Sequence, residues 1–465
     1  MKLVVCVKET EGDISPFDQS ALECALQIPQ AEITVLCMGR ETALPVLTRL
    51  TRLGNVQAQL ICDPVFAGAD TLATSYALSL AVHRLSPDLV FCGRQSMDGD
   101  TAQVGPCLSA MLGFSLITNV LQLESVLDNA VSCQTRFGKE TAQLPALLTL
   151  ERGYQLRFPS IRARAKEVEM ISAAALGADP ARCGLAGSPT RVLKTFESNV
   201  GRRNCQWILP KQLPDILAQE RQKRRQAETL IDSAVKLDHV WVVGNELAQI
   251  AKTIAKTVRV FDRLPPKEIA GLANREHPSA ILWPADLWGR KHAPIAAALL
   301  NTGLCADCIR LETDGSNLFL YRPAYGGTLT AKIVCQKTPQ MATVRLPGTD
   351  TSEVVIAVGR GALPYLAQVK QIADRSGYLF AASRAVVDAG AAPYLAQVGL
   401  TGKSVSPTVY LAIGISGAVQ HTCAIQKAGC IIAVNPDRDA RMFDFADYGV
   451  LADAGDVLPY LQQEM

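Results

Sequence analysis

The segment from residue 408 to 421 joins an apolar run to a cluster of small and hydrogen-bonding residues. Thr408–Ile413 has the composition of a buried strand, and Gly414-Ile415-Ser416-Gly417-Ala418-Val419-Gln420-His421 follows it directly. Small residues let a backbone approach a ligand closely, and a helix that starts there offers unpaired N–H groups and a positive dipole end. The pattern predicts binding of an anion such as a diphosphate.

Further blocks of the same kind flank this segment in a fixed order. They are Ser383-Arg384-Ala-Val-Val-Asp388-Ala-Gly390, Gln397-Val-Gly-Leu-Thr-Gly-Lys403, the isolated Asn435 and Ala446-Asp447-Tyr448-Gly449. Together they closely resemble the FAD-binding domain of the alpha subunit of electron transfer flavoproteins. A lone glycine motif is weak evidence, whereas several blocks in order are specific.

The resemblance extends over nearly the whole chain. Residues 1 to about 200 resemble the beta subunit of the same family, and residues 236–350 resemble the N-terminal domain of the alpha subunit. The blocks that carry this are Met1–Lys8, Ser15–Asp18, Phe66–Thr74 and Gly93–Gly105 for beta, and Thr302–Cys308, Arg322–Gly327 and Pro339–Arg345 for alpha. The chain is therefore interpreted as a fusion of both subunits, with the beta part first.

The alpha resemblance implies a set of FAD contacts and three residues that act on the flavin ring. Arg384 is expected to place positive charge beside the pyrimidine end, where reduced flavin gathers negative charge. His421 matches the histidine that bonds the flavin O2 side, and Thr401 matches the residue near N5. The full implied set is Arg360, Ser383, Arg384, Val398, Gly399, Thr401, Ser416, Gly417, Ala418, Val419, Gln420, His421, Asn435 and Asp453.

Each of the three ring residues also has a structural interpretation. Arg384 could form an ordinary ion pair, Thr401 could be a turn residue, and His421 could be a satisfied helix histidine. The sequence also departs from the family pattern at two positions. Leu400 replaces a common glutamine, and Arg441 replaces a common proline. The first removes a polar contact close to the ring and is expected to change the flavin potential rather than binding.

The beta resemblance implies a second nucleotide site, which in the family holds either AMP or a second FAD. Short hydroxyl and carboxylate side chains at a helix start suit ribose hydroxyls, and backbone N–H groups suit phosphate. The implied residues are Cys6, Ser15, Phe17, Met38, Asp70, Thr71, Thr74, Gly93, Arg94, Gln95, Asp98, Asp100, Thr101, Gln103 and Val104.

The choice between AMP and FAD stays open at this point. Ala69-Asp70-Thr71 resembles the electron-bifurcating subgroup, yet Asp70 and Thr71 could equally form a helix N-cap. Against bifurcation, Lys8 is followed by Glu9–Ile14 and then directly by Ser15-Pro16-Phe17-Asp18. Two-flavin members carry a longer segment there, so a wall of the site is shortened.

A basic loop between the first two domains resembles the segment with which the beta subunit docks a partner dehydrogenase. Its Leu156, Arg157 and Phe158 combine apolar anchors with positive charge, and further arginines follow up to Arg164. Such a mixture suits a small transient interface, although an ordinary surface loop is the alternative.

The elements that position these residues alternate between short apolar runs and helical patterns. Strands are predicted at Leu3–Val7, Ile33–Met38, Gln59–Cys62 and Leu89–Cys92, with helices at Ser20–Gln27, Thr42–Leu53 and Thr71–His83 between them. Such alternation predicts a parallel, doubly wound α/β sheet with ligands beyond the carboxyl ends of the strands.

The expected fold class is α/β in three domains: two doubly wound parallel-sheet nucleotide-binding-like domains and a C-terminal α/β FAD-binding domain. Their expected bounds are 1–205, 237–350 and 351–465, with a helical arm or linker at 206–236 that joins the two subunit-like parts. The length of 465 residues fits about three domains. The basic cluster Arg221–Arg225 in the arm is interpreted as a solvated helix face.

Composition excludes several other classes. The chain has 46 basic and 44 acidic residues and a net charge of +2, which gives no global attraction to nucleic acid or to an anionic membrane. No apolar run is long enough for a spanning helix, and a cytoplasmic protein is expected. Most of the 14 cysteines lie in apolar patterns, and Cys305-x-x-Cys308 lacks a second pair for zinc, so core packing and no metal are expected.

These features favour an electron transfer flavoprotein that carries electrons by FAD between acyl-CoA dehydrogenase-type flavoenzymes and a second redox partner such as a ferredoxin, a flavodoxin or a quinone oxidoreductase. Two alternatives remain: an NADH-linked bifurcating oxidoreductase with two FADs, and a nucleotide-binding module that passes no electrons.

Overall fold

A computed structural model describes residues 1–96, 99, 101–127, 129–197, 203–222, 233–324, 329–345, 353–399 and 402–463. The chain divides into two compact units, each described by itself below. Unit 1 comprises residues 1–195, 232–325 and 331–344, and unit 2 comprises residues 196–231, 326–330 and 345–465.

The first part of unit 1 is an α/β domain built on a nine-stranded sheet. The nine strands are β1 (Lys2–Val7), β4 (Glu32–Met38), β5 (Val56–Ile61), β6 (Leu89–Gly93), β7 (Ser115–Leu127), β8 (Ala130–Thr135), β9 (Gly138–Gln143), β10 (Ala146–Leu150) and β11 (Val168–Ile171). Strands β2 (Glu9–Thr10) and β3 (Asp13–Ile14) pair with each other, and β12 (Thr190–Glu197) belongs to a separate sheet. Its helices are α1 (Pro16–Leu26), α2 (Leu44–Leu50), α3 (Thr71–Leu85), α4 (Val104–Leu112), α5 (Ala173–Leu176) and α6 (Gly184–Gly187).

The nine strands run in the order β11-β5-β4-β1-β6-β10-β7-β8-β9. Those from β11 to β7 are parallel, and β8 and β9 add antiparallel pairs. The near-continuous apolar sequences of β1 and β6 reflect burial on both faces. The predicted parallel, doubly wound sheet is confirmed.

Helix α1 begins earlier than the predicted Ser20. Ser15 caps it by accepting a hydrogen bond from Asp18 N at 3.1 Å, and Pro16 occupies the first helical position, where its missing N–H costs nothing. The prediction missed this start because it followed the apolar periodicity alone.

The second part of unit 1 is a smaller α/β domain. It contains β14 (Leu237–Val243), β15 (Ala255–Phe261), β16 (Ala280–Pro284), β17 (Leu304–Cys308), β18 (Arg310–Thr313), β19 (Leu318–Ala324), β20 (Leu329–Cys335) and β21 (Gln340–Val344), with helices α8 (Ala248–Ile254), α9 (Pro266–Glu276) and α10 (Leu287–Leu299). Five strands form a parallel sheet in the order β15-β14-β16-β21-β17, and β12-β20-β19-β18 form a separate sheet. Strands β14 and β16 are parallel neighbours at the centre of this sheet, as β1 and β6 are in the nine-stranded sheet.

Unit 2 is built on a six-stranded parallel sheet. Its elements are β13 (Gln206–Ile208), α7 (Leu213–Gln222), β22 (Val354–Val358), β23 (Leu379–Ala382), β24 (Val409–Ile413), β25 (Cys430–Val434), β26 (Tyr448–Val450), α11 (Leu366–Ser376), α12 (Arg384–Asp388), α13 (Val419–Thr422) and α14 (Ala454–Gln463). The strand order is β13-β26-β25-β24-β22-β23. The segment interpreted as an arm, 206–236, therefore contributes the edge strand β13 to this sheet and the helix α7 to the core of unit 2.

The arm is held in unit 2 by packing and charge. Leu213 and Leu217 of α7 lie in the buried core with Val354 and Val457. Arg203 forms an ion pair with Asp447 and donates to Ala428 O at 2.7 Å. Arg221 forms an ion pair with Glu353, and the rest of the predicted basic cluster, from Lys223, lies outside the described residues.

Within the described residues, no helix is long and apolar enough to cross a membrane. All 14 cysteines are thiols, and Cys305 and Cys308 are buried, with Cys308 Sγ 3.7 Å from Cys305 O.

Phe91→Ala should destabilise unit 1 strongly. Phe91 is fully buried at the centre of the nine-stranded sheet, and its removal leaves a cavity that typically costs about 3–5 kcal/mol. Urea denaturation followed by circular dichroism should show a lower midpoint for the first transition. Leu127→Ala is the control, because Leu127 is 68% exposed and its variant should unfold like the parent.

Candidate functional site

A cavity of about 540 Å³ lies in unit 1 at the carboxyl ends of β1, β4 and β6. This is where a doubly wound sheet reverses its strand order and binds ligands. The residues predicted for the second nucleotide site that line it are Cys6, Met38, Asp70, Thr71, Thr74, Gly93, Arg94, Gln95, Thr101, Gln103 and Val104. The structure thus gathers most of that predicted set around one space.

Four residues of the predicted set are not placed in the lining. Asp98 and Asp100 lie outside the described residues. Ser15 caps α1, and Phe17 is fully buried beneath the guanidinium of Arg94, which lies 5.2 Å from its ring centroid. Among the described residues, Ser15 therefore supports α1 and Phe17 supports Arg94, and neither lines the cavity.

Asp70 uses both carboxylate oxygens in hydrogen bonds within the protein. Oδ1 accepts from the backbone N–H groups of Leu72 and Ala73 and caps α3. Oδ2 accepts from Thr190 N at 3.0 Å and from Thr190 Oγ1 at 2.6 Å. Asp70 is therefore the N-cap of α3. The Asp70 carboxylate also joins α3 to Thr190 at the start of β12.

Asp18 is a buried carboxyl in the cavity wall. Its Oδ2 accepts from Lys8 N at 3.0 Å, so it holds the end of β1. Burial raises the pKa of Asp18 to about 6, against the opposing hydrogen bonds from the Lys8 backbone, the Ser15 side chain and the Gly93 backbone. The group changes charge just below neutral pH.

Arg94 reaches the cavity from a buried ion cluster. The side chain of Glu151 is fully buried, with Arg136 Nε 2.9 Å and Arg94 Nε 3.4 Å from its Oε1. A buried carboxylate needs such partners because an unpaired charge there is costly. The charge of Arg94 is thus largely balanced inside the protein.

Gln103 provides a direct test of whether these residues fit a nucleotide. Its side chain is 3% exposed, and its Nε2 has no hydrogen-bond partner among the described residues. It immediately precedes α4, whose start carries no side-chain cap. Buried donors normally have partners, so the orphan amide and the uncapped helix start fit a ligand that accepts hydrogen bonds.

The predicted flavin residues of unit 2 lie along one edge of its sheet. Arg360 follows β22, Ser383 follows β23, Asn435 follows β25 and Asp453 follows β26, while Gly414–Gln420 follow β24. Val398 is drawn to the same edge by its backbone bond to Ala382 O at 2.9 Å. Thr401 and Leu400 lie outside the described residues.

Glycines form a tight backbone cradle at this edge. Gly414 and Gly417 have positive φ values of 65° and 83°. A Cβ on Gly417 would stand 2.1 Å from Met442 N, and one on Gly399 would stand 2.9 Å from Gln420 O. Only glycine fits such positions without strain, so these glycines let the loop pack directly against the backbone at Met442 and Gln420.

A helix follows the small residues, as predicted, and it is a single turn long. Helix α13 has only four residues, Val419–Thr422. A single turn sums few peptide dipoles, so the predicted attraction for an anion comes from individual N–H groups rather than from a long macrodipole.

His421 is buried and neutral. Burial lowers its pKa to about 4, with the Val398 backbone opposing this effect. Its Nε2 lies 2.8 Å from the hydroxyl of the fully buried Tyr410, while Nδ1 has no hydrogen bond of regular geometry among the described residues. Tyr410 thus positions one ring nitrogen, and the backbone of Val398 also interacts with the imidazole.

Other predicted flavin residues already make protein contacts. Arg384 Nε donates to Asp388 Oδ2 at 3.1 Å, the ion pair of its structural interpretation. Asn435 Nδ2 donates to Ile415 O at 3.1 Å and so ties the end of β25 to the glycine loop. Asp453 Oδ1 accepts from Gly455 N at the start of α14.

The basic loop of unit 1 is anchored at both ends and exposed at its tip. Glu23 accepts from the Arg157 backbone and guanidinium, with the shortest bond 2.7 Å from Nη2 to Oε1. Burial of Glu23 opposes its ionisation, but the bonds from Arg157 outweigh this and lower its pKa. Arg52 Nε donates to Ala163 O at 3.0 Å, while Phe158 and Ile161 are 91% and 94% exposed.

Sequence reasoning missed the residues that support these sites. Asp18 and Tyr410 lie inside quoted motifs but carry no resemblance-based role, and Glu23 is remote from the loop that it holds. A buried acidic residue directly after Pro-Phe could have pointed to Asp18. For Glu23 no local signal exists, because its partner is 134 positions away.

Comparison with known proteins decides the family. Residues 2–176 and 266–354 match the electron transfer flavoprotein domain, and residues 349–426 match the electron transfer flavoprotein FAD-binding domain. The chain belongs to the electron transfer flavoprotein family. FAD is accordingly the cofactor of its C-terminal domain, where the glycine cradle and the His421 nitrogen fit it.

Relatives of this electron transfer flavoprotein include both kinds of subunit. The alpha subunit of Thermoanaerobacterium thermosaccharolyticum is 37% identical over 246 residues, 43% of this chain and 74% of that protein. The beta subunit of Megasphaera elsdenii is 39% identical over 201 residues, 39% of this chain and 74% of that protein. An acryloyl-CoA reductase electron transfer subunit beta of Anaerotignum propionicum is 32% identical over 308 residues, 47% of this chain and 84% of that protein. The predicted fusion of beta and alpha parts is confirmed.

Asp18→Asn should stabilise unit 1 increasingly as the pH rises from 4 to 7. A carboxyl whose folded pKa lies above the unfolded one contributes most at low pH, and this contribution is lost as the pH passes through about 6. The variant lacks the titration and should gain about 2–3 kcal/mol over the parent across that range.

The measurement is the difference in urea midpoint between variant and parent at several pH values. Asp88→Asn is the control, since it removes an exposed carboxylate that bonds Lys2 N at the other end of β1. A difference for Asp18→Asn that does not change with pH would contradict the assignment.

Gly417→Ala should reduce the FAD content of the purified chain by more than tenfold. The new methyl group would meet Met442 N at 2.1 Å and displace the loop that approaches the diphosphate. Gly390→Ala is a matched control, because Gly390 also has a positive φ, 72°, but has nothing within 4 Å of its Cβ position. Equal FAD loss in both variants would show that backbone strain, and not the cradle, decides binding.

Proposed function

We propose that this chain is a self-contained electron carrier that accepts electrons from an acyl-CoA dehydrogenase-type flavoenzyme and delivers them to a ferredoxin, a flavodoxin or a quinone oxidoreductase. The observation that supports this proposal is that one chain joins the FAD cradle of unit 2 to both subunit-like parts of unit 1. Bound FAD supplies electron transfer in single steps, and the protein supplies its binding and electrostatics.

Residues of unit 2 divide the tasks of holding and tuning FAD. We assign the diphosphate to the loop of Ser416–Gln420, and the phosphate or ribityl contacts to Arg360 and Ser383. His421, neutral at pH 7, can donate or accept one hydrogen bond at Nδ1 without adding charge. Arg384 supplies positive charge, moderated by Asp388. Thr401 is kept as the residue proposed near N5.

For the cavity of unit 1 we propose AMP as the resident nucleotide. Cavities of about 300–1,000 Å³ suit small ligands, and the value of about 540 Å³ falls in this range. Asp70, part of the segment that resembles the bifurcating subgroup, has both oxygens engaged by α3 and Thr190. That engagement supports a structural role for the segment and a site that handles no hydride.

The second candidate is an NADH-linked, bifurcating flavoprotein with two FADs. The similarity to an acryloyl-CoA reductase electron transfer subunit favours it, as does the Ala69-Asp70-Thr71 segment. In that case the chain would be an oxidoreductase in its own right.

Partner docking is proposed at the tip of the anchored loop of unit 1. Phe158 is the apolar anchor, Leu156 packs against the core, and Arg157 is engaged with Glu23. Arg157 therefore positions the loop more than it steers the partner. We further propose the four-part division at 1–205, 206–236, 237–350 and 351–465, and a cytoplasmic location, which the many thiols fit.

Nucleotide content tests the proposed function directly. The purified chain is denatured, and the released FAD and AMP are quantified per polypeptide by chromatography. One FAD and one AMP are expected. Two FADs with bleaching of the flavin by NADH would replace the carrier with the bifurcating alternative, and a colourless chain holding only AMP would overturn both.

Phe158→Ala should slow electron acceptance from an acyl-CoA dehydrogenase without loss of bound FAD. A buried aromatic anchor typically contributes about 2 kcal/mol or more to an interface, so KM for the carrier should rise at least tenfold with kcat little changed. Leu127→Ala removes another exposed apolar side chain elsewhere on unit 1 and serves as control. Equal effects of the two variants would argue against docking at this loop.

A further inference from the structure

Cysteine thiols lie in the wall of the unit 1 cavity, and two of them come from neighbouring strands. Cys6 on β1, Cys92 on β6 and Cys305 on β17 line the cavity. Cys6 is 7% exposed and Cys92 is 4% exposed, so the cavity is the route by which a reagent reaches their sulfur atoms. Two thiols that share one cavity wall can react together.

The sheet places the side chains of Cys6 and Cys92 next to each other. The two residues are direct partners in the parallel register of β1 and β6, and both pack in the same core cluster on one face of the sheet. Neighbouring strands lie about 4.8 Å apart, and a disulfide joins residues whose Cα atoms are about 4.4–6.8 Å apart. Each cysteine is the last but one residue of its strand, where the backbone can follow a small movement of the side chains.

A hydrogen bond already joins the two thiols. This bond and burial raise the pKa of the Cys92 thiol well above its ordinary value. Cys92 therefore keeps its proton, and its S–H group can donate to the Cys6 sulfur. A donated hydrogen bond stabilises negative charge on the sulfur that accepts it, so Cys6 is the attacking thiol of the pair.

The pair of Cys305 and Cys308 is a useful comparison. A bulge at Asp307, whose φ is 55°, interrupts β17 between the two cysteines, and their thiols are also joined by a hydrogen bond. However, Cys308 is fully buried, and among the described residues that line the cavity only Cys305 belongs to this pair. A reagent in the cavity therefore meets both thiols of the first pair but only one of the second.

We propose that Cys6 and Cys92 form a redox-active dithiol that small disulfides entering the cavity oxidise reversibly to a disulfide. The Cys6 sulfur attacks one sulfur of the reagent, whose S–S bond breaks and whose other half leaves as a thiol. Cys92 then attacks the Cys6 sulfur of this mixed disulfide and releases the second half of the reagent. The two cysteines together lose two protons and two electrons, and the reagent becomes two thiols.

Occupation of the cavity should control this reaction. Cys6 and Cys92 both line the space assigned above to a nucleotide, so a nucleotide that fills it covers both sulfur atoms. Binding of the nucleotide and oxidation of the dithiol then exclude each other. This second part of the inference rests on the proposed nucleotide site, whereas the dithiol itself does not.

The test maps the disulfide in the full-length chain. The parent is dialysed free of nucleotide, treated with bis(hydroxyethyl) disulfide, and unfolded in the presence of an alkylating agent. Peptide mass mapping should show Cys6 joined to Cys92, and dithiothreitol should restore both thiols. Cys92→Ser should stop at the mixed disulfide on Cys6. Cys62→Ser is the control, since it removes a partly buried thiol directly after β5 and should form the bond like the parent.

Mapping of the parent needs no variant, so a folding defect in a variant does not obscure the result. A parent whose Cys6 and Cys92 both stay free, or in which Cys305 is joined to Cys308 instead, overturns the inference. AMP at about 100 times its Kd should slow formation of the bond about a hundredfold, because only the nucleotide-free fraction exposes the two sulfur atoms. An unchanged rate with AMP would overturn the proposed nucleotide site at these residues and leave the dithiol standing.

Discussion

Parallel strand order is the constraint on which the FAD-binding edge of unit 2 and the cavity of unit 1 both depend. In a parallel sheet every strand ends at the same edge, so residues distant in sequence arrive side by side there. In unit 2 this gathers Arg360, Asn435 and Asp453 from three strands, and in unit 1 it gathers Cys6, Met38 and Gly93. Beyond the last hydrogen bonds of the sheet, the backbone N–H and C=O groups need other partners. A ligand can supply these partners, so ligand binding constrains the residues at these positions as much as packing does.

The walls of the unit 1 cavity are held by buried charge. Asp70 joins α3 to β12, Asp18 holds the end of β1, and Glu151 holds Arg94. Asp70 and Asp18 accept hydrogen bonds from backbone N–H groups, and Glu151 is paired with arginine. For Asp18 the cost of burial still outweighs these bonds, which is why its pKa is raised to about 6. Loss of either partner of such a pair would leave a buried charge or donor alone.

Sequence reasoning reached the strands, the fold class and most cavity residues because these are encoded locally. Apolar runs mark parallel strands, and the small and polar residues directly after them mark the ligand edge. It failed where a tertiary contact decides the outcome. The start of α1 depends on Ser15 and Pro16 rather than on periodicity, and Glu23 meets Arg157 only through the fold. The role of Tyr410 depends on His421, which lies opposite it, and no spacing along the chain reveals this.

The path of the chain explains how the parts of a fused protein are held together. After the first domain of unit 1, residues 203–222 join unit 2, adding β13 beside β26 and α7 to its core, before the chain returns to build the second domain of unit 1. Trp207 packs at 4.7 Å against Phe443, and Arg203 pairs with Asp447. In separate subunits these contacts would have to form by association, at a cost in translational and rotational freedom; within one chain they form as part of folding. The fusion thus makes the arm a structural member of the FAD domain rather than a passive linker.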